Sequence, residues 1–407
     1  MTPSDLLTRG VKETVPADLA ELKLKSGKPM RIYVGIDPTG SKLHLGHAVV
    51  LRKLKAFADA GHDVIFLIGS YTAMIGDPTD RSSMREPLSK DQVMANFQTY
   101  KEQASKVLDF SKITIKYNHE WLEKLSFAEV LEIAGSFTVQ QMLQRDMFQE
   151  RIKLEKDLSL VEFMYPLMQG YDSVVLDVDC EIGGNDQLFN MLCGRKLQKA
   201  FGKRDKFVLT TQLLEGIDGR KMSKTYDNCI WLEDSASEMY GKIMSIKDEF
   251  MPTYFECCTD VPTEEVETIK NSIIFSALDE MNKGDTQVNP RDVKMRLARE
   301  IVTLYHGADA AKKAQEEFQS IFKDKGVPAD IETVTASRGT TLIDVLAEHK
   351  LVESKGEARR LVEQGGIKVN DKAVDSITFA IGDGDAHWID GAIVKVGKRK
   401  FVKIIAA

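Results

Sequence analysis

Within residues 31–69 the hydrophobic period changes twice, and that change does most to restrict the fold. RIYVGI (31–36) alternates as a strand does and runs into a Pro-Thr-Gly turn. HAVVLRKLKAFADA (47–60) then repeats at helical spacing and stops at Gly61, a natural C-terminal cap. DVIFLIG (63–69) follows as an unbroken apolar run, the pattern of a strand covered on both faces. A strand, a helix and a buried strand in that order imply a parallel sheet. The same alternation continues to about residue 230, with VVLDV (174–178) and FVLTT (207–211) as further strand candidates. Ser89-x-x-Gln92 and Ser126-x-x-Glu129 have the form of helix-opening capping boxes. The expected fold class is therefore α/β, a doubly wound, Rossmann-like catalytic domain over 1–230.

Beyond residue 230 the pattern changes. Residues 231–330 are helical, charged and short of strand runs, broken by Asn289-Pro290 and ending in a linker-like KDKGVPAD (323–330). Residues 341–407 change again. Thr341-x-x-Asp344 and Ser354-x-x-Glu357 open two short helices, Gly365-Gly366 closes the second, and Asn370-Asp371 turns between short strands. Three domains are thus expected, at 1–230, 231–330 and 341–407, in line with a length of 407 residues. The chain carries a net charge of −7, which excludes a protein basic over its whole surface but not a local basic face. Residues 351–407 hold ten Lys and Arg against eight Asp and Glu, with Lys355, Arg359 and Arg360 on one helix and Lys398, Arg399 and Lys400 near the last strand. Such a local excess suits phosphate contacts. The five cysteines form no C-x-x-C pair and are odd in number, the start lacks an apolar leader, and no run approaches a membrane span. A reduced, cytoplasmic chain with no cysteine-built metal site is expected.

Two stretches carry chemistry. GIDPTGSKLHLGH (35–47) lies where the first strand hands over to the first helix, which is where open α/β sheets bind nucleotides. The helix N-terminus offers N–H groups to phosphate, His44 and His47 add donors at the same place, and Gly46 leaves the backbone bare for a flat base. GIDGRKMSKT (216–225) is a Gly-rich loop whose Lys221 and Lys224 can close on a phosphate chain as flexible point charges. Taken singly, each has a plain alternative, an ordinary turn or a solvated basic loop. A third feature is a polar stripe. Tyr165, Gln169 and Asp172 fall at i, i+4 and i+7 and share one face of a helix otherwise rich in Phe163, Met164, Leu167 and Met168. Pro166 inside that stretch should kink the helix or mark its first turn.

HLGH followed by KMSKT resembles the two signatures of class I aminoacyl-tRNA synthetases. DPTGSKLHLGH, MIGDPTDRSSMR (74–85), YPLMQGYD (165–172) and GGNDQLFN (183–190) are similar to the tyrosyl family of those enzymes, and the tail resembles the small RNA-binding module of a ribosomal small-subunit protein. The resemblance implies a homodimer that activates L-tyrosine with ATP, Mg²⁺ travelling with the nucleotide, and then loads tRNA(Tyr). It implies catalytic roles for His44, His47, Lys221 and Lys224, with Gly46, Gly184 and Asp186 at the nucleotide. It implies that Asp77, Tyr165 and Gln169 bind the substrate ammonium. Tyr33 and Asp172 would bind the phenol, and Asp37 and Gln187 would lie near the amino and carboxyl groups. Arg81 and Arg85 would meet pyrophosphate or tRNA, although many members carry lysine at the first of these. The 231–330 helices would serve the anticodon. A tryptophan-specific relative shares both signatures, but Tyr33 with Asp172 argues against it. A nucleotidyltransferase shares only the first signature, and an idle RNA-binding relative would not need both. The reaction expected is attack of the tyrosine carboxylate on the α-phosphorus, loss of pyrophosphate, and transfer from the adenylate to the terminal ribose of tRNA.

Overall fold

The structure, a computed structural model, describes residues 5–78, 88–278, 289–323, 331–370, 372–382, 391–397 and 400–406. The chain divides into two compact units, Met1–Ala308 and Asp309–Ala407.

The first unit is built on six strands: β1 (Val11–Val15), β2 (Arg31–Ile36), β3 (Asp63–Ile68), β4 (Thr114–Tyr117), β5 (Cys180–Gly184) and β6 (Phe207–Thr211). Their order is β1-β6-β5-β2-β3-β4, parallel throughout except for β1, an antiparallel edge on β6. Five of the six β3 residues are buried, as the apolar run requires. The helix Leu45–Asp59 follows β2 and ends before Gly61, which takes φ +86. The sheet order reverses between β2 and β5, so their carboxyl ends open a crevice between them.

Three expectations change here. VVLDV is not a strand: Val174–Leu176 form the last turn of the helix Leu160–Leu176, and the strand starts at Cys180. Tertiary packing overrides the β-branched pair, because Leu167, Val174 and Leu197 share one buried cluster with the next helix, Leu188–Ala200. Asp177 stops the helix in a left-handed conformation held by Arg204. Pro166 lies well inside this helix and not at its first turn. Residue 230 is also no edge of a compact unit. The helix Met251–Cys258 packs on Leu45–Asp59, and the Arg9 guanidinium donates to the carbonyls of Glu256, Thr259 and Val261.

The second unit has β7 (Glu332–Ala336), β8 (Ile367–Val369), β9 (Lys372–Ala373), β10 (Ala392–Val396) and β11 (Lys400–Ala406), ordered β7-β11-β10-β8-β9. Thr341 and Ser354 cap its helices Leu342–Glu348 and Lys355–Glu363 by accepting from the amides of Asp344 and Glu357. Leu346, Ala358, Ile367, Val394, Val402 and Ile404 form its core. Because β7 pairs in parallel with β11, this module begins before Thr341.

Candidate active site

A cavity of about 570 Å³ opens at the carboxyl ends of β2 and β5, where the sheet order reverses. Its walls include Tyr33, Asp37, His44, Gly46, His47, Asp77, Tyr165, Gln169, Asp172, Gly184, Asp186, Gln187 and Lys221, so most of the residues singled out in sequence meet in one space. Lys224 is not on that wall. Its ammonium lies over the turn after β2, 3.4 Å from where a Cβ on Gly40 would stand.

At one end the helix Leu45–Asp59 presents its N-terminus. The His44 N–H donates to Nδ1 of His47 at 3.2 Å, which puts the His47 proton on Nε2. The two rings lie 3.8 Å apart, and Trp231 meets the His44 ring edge-on. Burial lowers both imidazoles: His47 to about 4, and His44 well below its ordinary value with help from His47 and Lys221. They are therefore neutral hydrogen-bonding groups at pH 7, not cations. His44 Nδ1 is buried without a partner among the described residues. A Cβ on Gly46 would lie 3.0 Å from the His44 ring, close enough that the ring would have to give way.

Opposite, Gly184 lets Asp186 fold back, because a Cβ would come within 2.5 Å of its carboxylate. Asp186 accepts from Lys221 at 2.8 Å. The loop carrying Lys221 is organised by Asn228, a residue the sequence reading passed over. Its side chain donates to Asp218 and to the carbonyls of Arg220 and Lys221, and accepts from the Ser223 amide.

The other end is acidic. Asp37 accepts from Tyr165 Oη at 2.9 Å and Thr72 Oγ1 at 2.7 Å, and Gly69 is required beneath it, since a Cβ would stand 1.9 Å from Oδ1. Asp77 accepts from Gln187 Nε2 at 2.7 Å and lies 3.8 Å from the buried Arg145 guanidinium, itself packed on the Phe148 and Phe189 rings. Asp172 is 2% exposed and accepts from Trp121 Nε1 at 2.8 Å and Asn118 Nδ2 at 3.2 Å. Burial lifts its carboxyl well above the ordinary range against the pull of those two hydrogen bonds. Burial likewise raises the phenols of Tyr33 and Tyr165, helped by Glu181 and Asp172 for the first and by Asp37 for the second.

Tyr33 and Asp172 both line the cavity, yet the Tyr33 hydroxyl is paired with Ser173 Oγ at 2.9 Å, and Gln169 donates to Glu181 at 3.0 Å. Trp121, Ser173 and Arg145 thus support the expected residues from behind, while Thr72, Asn118 and Glu181 bond to them from the cavity wall itself. For Ser173, one residue beyond the polar stripe, a local signal existed. For the others none did, because each arrives from a distant element. Arg81 and Arg85 lie outside the described residues.

The comparisons with known proteins agree with this architecture. Residues 25–323 match the family of tRNA synthetases class I (W and Y), and 317–404 match the tyrosine--tRNA ligase SYY-like C-terminal domain. The chain is 42% identical over 409 residues to the tyrosine--tRNA ligase of Thermotoga maritima, covering 99% of this chain and 98% of that one. It is 44% identical over 402 residues to the enzyme of the same name from Shewanella oneidensis, covering 98% and 97%. Among solved structures it resembles a C-terminally truncated mitochondrial tyrosyl-tRNA synthetase from Aspergillus nidulans, with a TM-score of 0.63 and 26% identity over 79% of this chain and 94% of that one. The fold also matches the synthetase from Archaeoglobus fulgidus complexed with L-tyrosine, with a TM-score of 0.59 over 77% and 98%.

Proposed function

The chain belongs to the class I tRNA synthetases and, among them, to the tyrosine--tRNA ligases, and on that premise we propose how its cavity divides the work of activating tyrosine with ATP for transfer to tRNA(Tyr). One observation carries the division: four acidic side chains, Asp37, Asp77, Asp172 and the lysine-paired Glu181, gather at one end, while two neutral histidines, a helix N-terminus and Lys221 gather at the other. A cationic amine needs the first and a polyphosphate the second.

In this reading Asp77 and Tyr165, with Asp37 and Gln169, hold the ammonium of tyrosine, and Gln187 orients Asp77. Tyr33 and Asp172 meet the phenol deep in the pocket. Asp186 and Gly184 receive the ribose, Gly46 the adenine, and His44 and His47 donate to phosphate oxygens. The tyrosine carboxylate then attacks the α-phosphorus and pyrophosphate leaves with its Mg²⁺, which arrives as part of the substrate. Lys221, Lys224 and the chain's Arg81 and Arg85 oppose the charge that builds on the leaving group. Catalysis is positioning plus fixed electrostatics, with no covalent enzyme intermediate. Afterwards the tRNA terminal ribose hydroxyl takes the tyrosyl group.

Residues 341–407 are the RNA-binding module of this reading, through Lys355, Arg359, Arg360 and Lys400, and the helices of 231–330 serve the anticodon. A homodimer is supported by apolar side chains left open on one stretch of chain, Phe127 at 77% exposure and Leu160 at 82%. A cytoplasmic location agrees with buried, unpaired cysteines among the described residues. Amino-acid-dependent ATP–pyrophosphate exchange across all twenty amino acids tests the whole: tyrosine alone should support exchange, and equal exchange with tryptophan or none with tyrosine defeats it.

A further inference from the structure

At the acidic end of the cavity, with Glu181 on its wall and Lys206 behind it, lies a buried ion pair that the reaction as described does not use. Lys206, the residue before β6, has a fully buried side chain, and Glu181 in β5 is 2% exposed at its side chain. The Lys206 ammonium has three donors and three partners: a Glu181 carboxylate oxygen, Ser173 Oγ at 2.7 Å and the Met191 carbonyl at 3.3 Å. Each side-chain partner leads to the pocket. Ser173 Oγ is bonded to the Tyr33 hydroxyl at 2.9 Å, and the second oxygen of Glu181 accepts from Gln169 at 3.0 Å. The ammonium also lies 5.6 Å from the Tyr33 ring centroid.

The neighbouring helices are shaped around this group. A Cβ on Gly194 would stand 2.6 Å from Lys206 Nζ and 2.5 Å from Ser173 Oγ, and one on Gly170 would stand 3.2 Å from the Gly194 amide. Two bare positions therefore bring the helices Leu160–Leu176 and Leu188–Ala200 close enough for lysine and serine to meet. Replacing a buried ion pair with apolar groups is often neutral or stabilising, so stability alone is a weak reason for one here.

We propose that Lys206 is a positioning residue for tyrosine recognition: paired with Glu181, it fixes the Ser173 hydroxyl, and through it the Tyr33 phenol, and by Glu181 the Gln169 amide. This rests on the reading of Tyr33 and Gln169 as tyrosine-binding groups. With Lys206 donating to it, Ser173 has one proton left to share with Tyr33 or Glu181. The direction of the Tyr33 hydroxyl, and hence what it offers a substrate phenol, follows from that choice. Without the ammonium, Ser173 turns freely, Tyr33 loses its defined partner, and a phenylalanine side chain leaves one fixed polar group fewer unpaired, Asp172 alone still being held by Trp121 and Asn118. Discrimination then falls.

The test uses the full-length protein and two variants. Glu181→Gln with Lys206→Met removes both charges together, so neither is stranded. Ser173→Ala cuts Lys206 from Tyr33 and leaves the ion pair in place. For each, kcat/KM for tyrosine and for phenylalanine is measured by pyrophosphate exchange, together with KM for ATP and the thermal midpoint. The ratio of tyrosine to phenylalanine is expected to fall at least about tenfold in both, with KM for ATP within about twofold of the parent. A purely structural pair would lower the midpoint and leave the ratio at the parent level, which overturns the proposal. So does a fall in the ratio with Ser173→Ala alone while the folded double variant keeps it. If the double variant does not fold, Ser173→Ala decides, an unchanged ratio overturning the proposal. Tyr33→Phe is read in parallel. If it lowers the ratio and the other variants do not, the pocket reading stands and the positioning role falls; if it too leaves the ratio unchanged, both fall.

Discussion

Lys221→Ala should separate the binding of ATP from its reaction. In the structure Lys221 is paired with Asp186 at 2.8 Å, with side-chain exposures of 35% and 24%. An ion pair this open contributes no more than about 1 kcal/mol. Lys221 must give up that partner to reach phosphate, and Asp186 must give it up to reach a ribose. Removing the lysine frees Asp186, so ATP affinity should move by less than about fivefold, the equivalent of 1 kcal/mol, and in the tighter direction if Asp186 is the ribose acceptor. The rate behaves differently. Charge develops on the leaving pyrophosphate in the transition state, and loss of one preorganised donor there costs about 2.7–4 kcal/mol, or roughly 10²–10³ in rate. Stopped-flow measurement of tyrosyl-adenylate formation over a range of ATP concentrations yields both quantities from one experiment. A rate constant within about threefold of the parent, with ATP binding weakened instead, would refute a transition-state role for this lysine.

Asp172→Ala should erode the preference for tyrosine over phenylalanine, because the carboxylate held by Trp121 and Asn118 no longer meets the phenol; an unchanged ratio in pyrophosphate exchange means that another group reads it. Both histidines titrate below their ordinary range, His47 at about 4, so the activation rate should be flat from pH 6 to 8. Their sign follows from linkage: between the folded value and the ordinary one near 6.5, the unfolded chain binds the protons, so their share of stability is full above that range and is lost as pH falls toward 4. His47→Asn, which keeps an acceptor where Nδ1 stands, should reduce that acid loss in thermal midpoints between pH 7 and 4.5; a rate inflection near 6.5 that disappears in this variant contradicts the assignment. A chain ending at Lys323, before β7, should form tyrosyl-adenylate but charge tRNA poorly and show a shallower dependence of tRNA binding on salt, and equal charging at matched salt would remove the part of the second unit from β7 onward from RNA recognition.

The parts of this molecule that were legible in the sequence are those whose signal is local. β2, the helix after it and β3 each carry their own period, and the caps at Ser89, Ser126, Thr341 and Ser354 are four-residue patterns that the structure repeats. The edge strand β1 was not legible, because VKETV is short and half polar and becomes a strand only by pairing with β6. VVLDV misled for the converse reason, a strand-like composition drawn into a helix by its packing partners. Side-chain chemistry follows the same division. The stripe Tyr165, Gln169, Asp172 was visible because one helix carries it. The groups that hold it in place were not, since Trp121 reaches Asp172 across 51 residues and Ser173 reaches Tyr33 across 140. Lys206 is the extreme case. In GKRDKF it reads as one more solvated cation, and nothing in that run sets it apart from Lys203. It is buried because Gly194 and Gly170, on two other helices, leave room for an ammonium, and because Glu181 waits there to neutralise it. Burial of a charge is thus a property of the space its neighbours leave, so a glycine facing a second helix is the place to look for a hidden ionic group when only the sequence is at hand.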